Sequence, residues 1–169
     1  AYNKKIIDQK LFNQNTGIAY YEISKIKKQS DPKESLNLIL KAIKIHGSFP
    51  PFIKLHLEIL LIMNEISKIN KVIKKYWNSD PNSSLRKIIA EFLKKNKMGN
   101  LENIRSIIKG SRDDKESKKL LVDFAIHNSE WSLARDNVNG LIKFNPDREV
   151  CILMASLELG EFNDIQKRD

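Results

Sequence analysis

Ser129-Glu130-Trp131-Ser132-Leu133-Ala134-Arg135, running on to Pro146, decides the fold. The stretch reads as the second helix of a helical hairpin: an aromatic at Trp131, a small residue three places on at Ala134, a β-branched residue at Val138 and a closing proline at Pro146. The spacing has a mechanical reason. Ala134 is small because two helices cross closest there, and Pro146 turns the chain into the next hairpin.

Degraded copies of this stretch recur. Aligned on Ala134, the equivalent positions are Ser35, Ile69, Ile104, Ala134 and Ile165, between 30 and 35 residues apart. Four residues further on stand Ile39, Ile73, Ile108 and Val138, all β-branched. Twelve residues before stand Ile23, Leu57, Phe92, Val122 and Leu153, all apolar. Two such stripes are what hairpins need in order to stack on their neighbours with a continuous core. The pattern resembles the tetratricopeptide (TPR) repeat, in divergent form, because isoleucine replaces the small residue at three of the five close-crossing positions. The resemblance implies an all-α fold, a right-handed superhelical array of TPR-like hairpins. It is expected to form one domain over residues 1–169, with repeats at about 15–47, 51–80, 82–110, 114–145 and an incomplete 147–169.

The punctuation between elements supports that parsing. Ser30-Asp31-Pro32 is a strong helix start, and Asn78-Ser79-Asp80-Pro81 repeats it. Phe49-Pro50-Pro51 opens an apolar helix from Ile53 to Met63. Helices are also expected over 66–77, 84–95, 101–108, 116–127, 131–144 and 147 to about 159. Residues 2–28 read as one long helix or as two broken at Asn15-Thr16-Gly17, and Gly160-Glu161-Phe162 reads as the opening of a further helix.

Of 169 residues, 41% are hydrophobic and 30% charged, which excludes wholesale disorder; six Gly and five Pro leave few turns for an all-β fold. The net charge of +9 favours acidic partners through long-range attraction, but the lysines lie between the apolar positions of amphipathic helices rather than in one block. One cysteine, Cys151, permits no intrachain disulfide. It sits in the apolar run Val150-Cys151-Ile152-Leu153-Met154-Ala155 and reads as a small core residue. The chain has neither a run of ~20 uninterrupted apolar residues nor a secretory signal. It starts without methionine and stops inside a helical pattern, and so is expected to be a piece of a longer protein.

The C-terminal third is more specific. Glu130-Trp131-x-x-Ala134-Arg135, then Pro146, then Cys151-x-Leu153-Met154-Ala155-x-Leu157-Glu158 and Gly160 resemble the end of the TPR region in HemY-type proteins of alphaproteobacteria. Tyr76-Trp77 before Asn78-Ser79-Asp80-Pro81 is similar to that family's inter-repeat junction. The resemblance implies an N-terminal membrane anchor outside this sequence, a TPR domain on the cytoplasmic side of the inner membrane, and a link to haem biosynthesis by scaffolding enzymes or passing on a tetrapyrrole.

No catalytic constellation emerges. The chain has no GxSxG, P-loop, GxGxxG, CxxC or HExxH, and its glycines read mostly as helix ends and turns. An enzyme is not expected, nor a cofactor or metal, since His46, His56 and His127 are too scattered for a site. What remains is a binding surface. In TPR arrays the first helix of each hairpin lines the concave face, and carrying the register over places Tyr20, Ser24, Lys27, Lys54, Glu58, Asp123 and His127 near that groove. Lysines there would clamp carboxylates of a protein partner or simply keep the groove solvated. Trp77 and Trp131 fall on the internal stripe and read as packing residues. The expected function is a non-enzymatic scaffold that holds other proteins, haem-biosynthesis enzymes among them. The alternatives are a basic helical module that binds nucleic acid, for which the chain has no RNP-like motif, and a tetrapyrrole-binding protein using His127 or Cys151.

Overall fold

The computed structural model describes residues 9–144 and 146–166. Residues Tyr2 to Ile7, part of the expected first helix, lie outside them. The described residues form nine α-helices: α1 (Gln9–Lys27), α2 (Pro32–His46), α3 (Pro50–Ile62), α4 (Ile66–Ser79), α5 (Ser83–Lys95), α6 (Leu101–Ile107), α7 (Lys115–His127), α8 (Trp131–Phe144) and α9 (Arg148–Gln166). A 3-10 turn, Ile108–Gly110, extends α6. The fold is all-α with helices packed mostly against sequential neighbours, consistent with a helical array. None of the helices is long and apolar enough to cross a membrane. The chain divides into two compact units, Ala1–Val72 and Ile73–Asp169.

The helix starts follow from capping. Asp31 accepts a hydrogen bond from the Glu34 amide at 3.0 Å ahead of Pro32. In the same way Asn82 caps α5, Asn100 caps α6 and Asp114 caps α7. Asp147 accepts from the Val150 amide at 2.9 Å at the start of α9. Three helix ends share a second device. Asn64, Lys97 and Ser129 adopt left-handed backbone with φ between 54° and 58°. The amide after each reaches back to a carbonyl in the last turn of the helix: Glu65 to Leu60, Met98 to Leu93 and Glu130 to Ala125, at 2.8–2.9 Å. Each is a Schellman turn built without glycine. They stand 33 and 32 residues apart, and each sits between the two helices of a hairpin.

In the first unit, α1 packs along α2 and α2 packs against α3. The α1–α2 crossing is made by small residues. Ser24 Oγ donates to the Ser35 carbonyl at 2.8 Å and Ser35 Oγ to the Ser24 carbonyl at 2.7 Å, both side chains fully buried. Gly17 belongs to the same contact, for a Cβ there would stand 2.7 Å from His46 Cβ. Ile39, Ala42, Phe52, Leu55 and Ile59 form the core beside it, and Tyr21 stacks on Phe52 at 5.0 Å.

In the second unit, α7 touches α5, α6, α8 and α9. Its core joins Val122 and Ala125 of α7, Ala134, Val138 and Leu141 of α8, and Val150, Leu153 and Leu157 of α9. Trp77 is fully buried, as its place on the internal stripe predicts, and half-buried Trp131 packs against that core.

Several expectations are corrected. Of the two readings left open for the first helix, the unbroken one holds across Asn15-Thr16-Gly17, because Gly17 serves close packing rather than a turn. Gly160 does not open a new helix: α9 continues through it, and a Cβ there would meet the Trp131 ring at 2.9 Å. Cys151 is exposed on α9, not in the core, since Val150, Leu153 and Leu157 take the buried side. On α1 the register shifts by one: Ser24 is buried and Ile23 is 44% exposed. The other four residues of that aligned set, Leu57, Phe92, Val122 and Leu153, are all buried, as are Ile39, Ile73, Ile108 and Val138. The side chain of Ile165 lies outside the described residues.

Candidate partner-binding face

Five of the residues expected to line a groove belong to the first unit. Tyr20 is half-buried against the Ile39 cluster, with Lys41 Nζ 5.9 Å from its ring centroid. Lys27 and Lys54 are half-exposed. Glu58 on α3 is held by Lys28 Nζ at 2.7 Å, just past the end of α1, so the pair ties the first helices of two successive hairpins. Ser24 is a correction: it is sealed between α1 and α2 and reaches no surface. It is the small residue that the crossing needs, and the one-residue register shift on α1 turns it inward in place of Ile23.

The other two belong to the second unit. Asp123 on α7 pairs with Lys94 on α5 at 2.8 Å, and the same ammonium lies 5.5 Å from the Phe124 ring. His127 is exposed at the end of α7, edge-on to Phe124 at 6.1 Å. Thus Glu58 and Asp123 each accept a lysine from the preceding first helix or its end. In each unit, then, the acidic candidate already has a lysine partner.

The densest cluster of ion pairs among the described residues contains none of the groove candidates. Arg86 on α5 donates through Nε to Glu116 on α7 and through Nη2 to Glu149 on α9, both at 2.8 Å. Lys119, whose side chain is only 2% exposed, reaches Asp147 at 2.8 Å, Glu116 at 3.0 Å and Glu149 at 3.1 Å. Lys87 and Lys115 complete the rim on Glu149 and Asp147. Hydrogen bonds from Lys119 and then Lys115 hold the Asp147 carboxyl well below the usual carboxylate range. Lys87 foremost, with Lys119, holds Glu149 down to about 2 against the opposing effect of desolvation. Burial works against the charge on Lys119, but its three carboxylate partners outweigh it and raise its pKa. A signal for this cluster does exist in the sequence: Asp114-Lys115-Glu116 and Asp147-Arg148-Glu149 are the same cap-plus-glutamate pattern 33 residues apart.

The remaining lysines are distributed differently. α2 and α4 carry seven lysines and one glutamate between them, and Lys33, Lys41, Lys44, Lys71 and Lys75 are exposed and make no ion pair among the described residues. Apolar side chains are also exposed, notably Leu11, Phe12, Ile18, Ile23 and Ile26 on α1 and Ile152, Leu159 and Phe162 on α9. No group of three His, Cys, Asp or Glu side chains among the described residues is arranged to hold a metal ion. No protein-family profile, curated protein or solved structure matches this chain.

Proposed function

We propose that the chain is a non-enzymatic helical-hairpin module, a divergent TPR-like superhelix, that holds partner proteins along the rows that first helices form within its units. One observation carries the reading: in the second unit α7 lies in contact with both α5 and α9, so the first helices run side by side. Such a row presents an extended surface that a single hairpin lacks. Its exposed ions are mixed in sign and pair from helix to helix, which suits a polar, adaptable protein interface. The sequence resemblance to HemY-type proteins extends the proposal to enzymes of haem biosynthesis as partners, in a parent protein anchored in the inner membrane. Affinity capture from a bacterial lysate tests both levels. Retention of proteins at moderate salt supports the module, and enrichment of tetrapyrrole-pathway enzymes among them supports the finer reading. Capture that an Asp123→Lys, Lys94→Glu exchange on the row leaves unchanged counts against the proposed face.

A second reading rests on a different observation, the excess of unpaired exposed lysine on α2 and α4. These second helices suit a polyanion such as nucleic acid. That reading requires affinity to fall steeply with salt, with a slope that shrinks by about one for each phosphate-contacting lysine removed.

A further inference from the structure

Helix α1 is apolar on two sides. Gly17, Tyr20, Tyr21 and Ser24 serve the packing on α2 and the Phe52 cluster. Around the rest of the helix Leu11, Phe12, Ile18, Ile23 and Ile26 stand between 44% and 79% exposed, with Ala19 exposed among them. By helical periodicity these six form one stripe along most of the helix. Two polar residues, Asn15 and Glu22, lie along its middle, both exposed and seven positions apart. Among the described residues Glu22 is held by an exposed pair with Lys25 at 3.7 Å, which contributes little. The polar pair decides the occupant. A lipid surface or a uniformly apolar groove would force the Glu22 carboxylate and the Asn15 amide into apolar surroundings without partners. An antiparallel second α1 supplies partners for both.

We propose that two copies of the chain associate through the outer face of α1, antiparallel, about a two-fold axis between Ile18 and Ala19. In that register Asn15 of each copy comes level with Glu22 of the other, and the Asn15 amide donates to the Glu22 carboxylate twice. The same register sets Leu11 level with Ile26 and bulky Ile18 level with small Ala19, so large side chains meet small ones at the crossing. A polar pair embedded in an apolar seam specifies one alignment among several, as a buried asparagine does in a coiled coil, and an isologous contact needs this self-complementarity. One helix face per copy falls short of a standard interface of ~1,600 Å², so the dimer is weak and concentration-dependent. The inference is independent of which partner the row of first helices takes.

Sedimentation equilibrium of the full chain over a wide concentration range tests it. The expected result is a reversible monomer–dimer equilibrium. Asn15→Glu, which places two carboxylates level on each side of the axis, should weaken it about tenfold or more. Asn15→Glu combined with Glu22→Asn should restore it, because the pairing survives with the roles exchanged. Equal helical content and thermal midpoints at low concentration verify that both variants fold. A chain that stays monomeric at every concentration overturns the proposal, and so does a dimer indifferent to Asn15→Glu or one that the double exchange fails to rescue. Binding of the monomer to phosphatidylserine vesicles in place of self-association would overturn it in favour of a lipid surface.

Discussion

The indole N–H of Trp77 donates to Ser117 Oγ at 2.9 Å, across forty residues of sequence, and both side chains are fully buried. Ser117 in turn shares a hydrogen bond with Ser111 Oγ at 2.8 Å. Ser117→Ala leaves the Trp77 donor in the core without an acceptor. That should cost about 1–3 kcal/mol, read as a lower midpoint in urea unfolding with an unchanged slope. Ser111→Ala, at a half-buried position that water reaches, should cost less.

Lys97 holds left-handed backbone (φ 54°) at the end of α5, a conformation that glycine adopts without steric penalty. Lys97→Gly should therefore stabilise the protein by about 0.5–1 kcal/mol, even though it removes a side chain. The neighbouring Gly99 is the control. A Cβ there would stand 2.2 Å from Phe124 Cε1, so Gly99→Ala should lower the thermal midpoint while Lys97→Gly raises it.

The Lys119 cluster makes stability fall in acid. Glu149 titrates at about 2 in the folded chain against an ordinary 4.5, and Asp147 is also depressed. The unfolded chain therefore binds more protons as pH falls through the ordinary carboxylate range. The stabilisation is complete above about pH 5 and is lost progressively toward pH 2. Lys119→Met should cost about 1–3 kcal/mol at pH 7, less than breaking a wholly buried pair, because Asp147 and Glu149 retain part of their hydration. Guanidinium unfolding at pH 7, 4 and 2.5 should show a shallower pH dependence for the variant than for the parent. Equal slopes would mean that the cluster is not the source.

Ala134 is fully buried among Val122, Ala125, Val138 and Val150. Ala134→Phe should overpack this crossing and cost roughly 1–3 kcal/mol. An unchanged thermal midpoint would mean that α7 and α8 do not cross there. Ala134→Ser, which copies the residue at Ser35, should be milder.

What could be read in the sequence was whatever a short stretch settles by itself. Asp31-Pro32 caps α2 because a carboxylate three residues from an amide needs no tertiary help, and the stripe of Ile39, Ile73, Ile108 and Val138 is buried because helical periodicity places it on one face. Where the outcome depended on a distant partner, local signals misled. Gly17 and Gly160 carry the signature of a break, yet each exists for a ring or side chain on another helix. The breaks after α5 and α7 were expected, but that Lys97 and Ser129 take the left-handed position in them is settled by the helices on either side. Cys151 was placed by composition in a run that is apolar on both sides, and only packing decides which side faces the core. Of the candidate site, Glu58 and Asp123 lie on α3 and α7, and their lysine partners come from the neighbouring hairpin, which one repeat in isolation does not reveal.

A stack in which each hairpin touches only the next unravels from its ends, one hairpin at a time. Arg86 does not respect that order, since it binds α7 with one nitrogen and α9 with another. Peeling α9 away would strip a carboxylate from a buried guanidinium on a helix two hairpins back, and would leave Lys119 facing the gap. Within the second unit, amide exchange at α5 and α9 should therefore report a single opening event rather than a gradient of fraying.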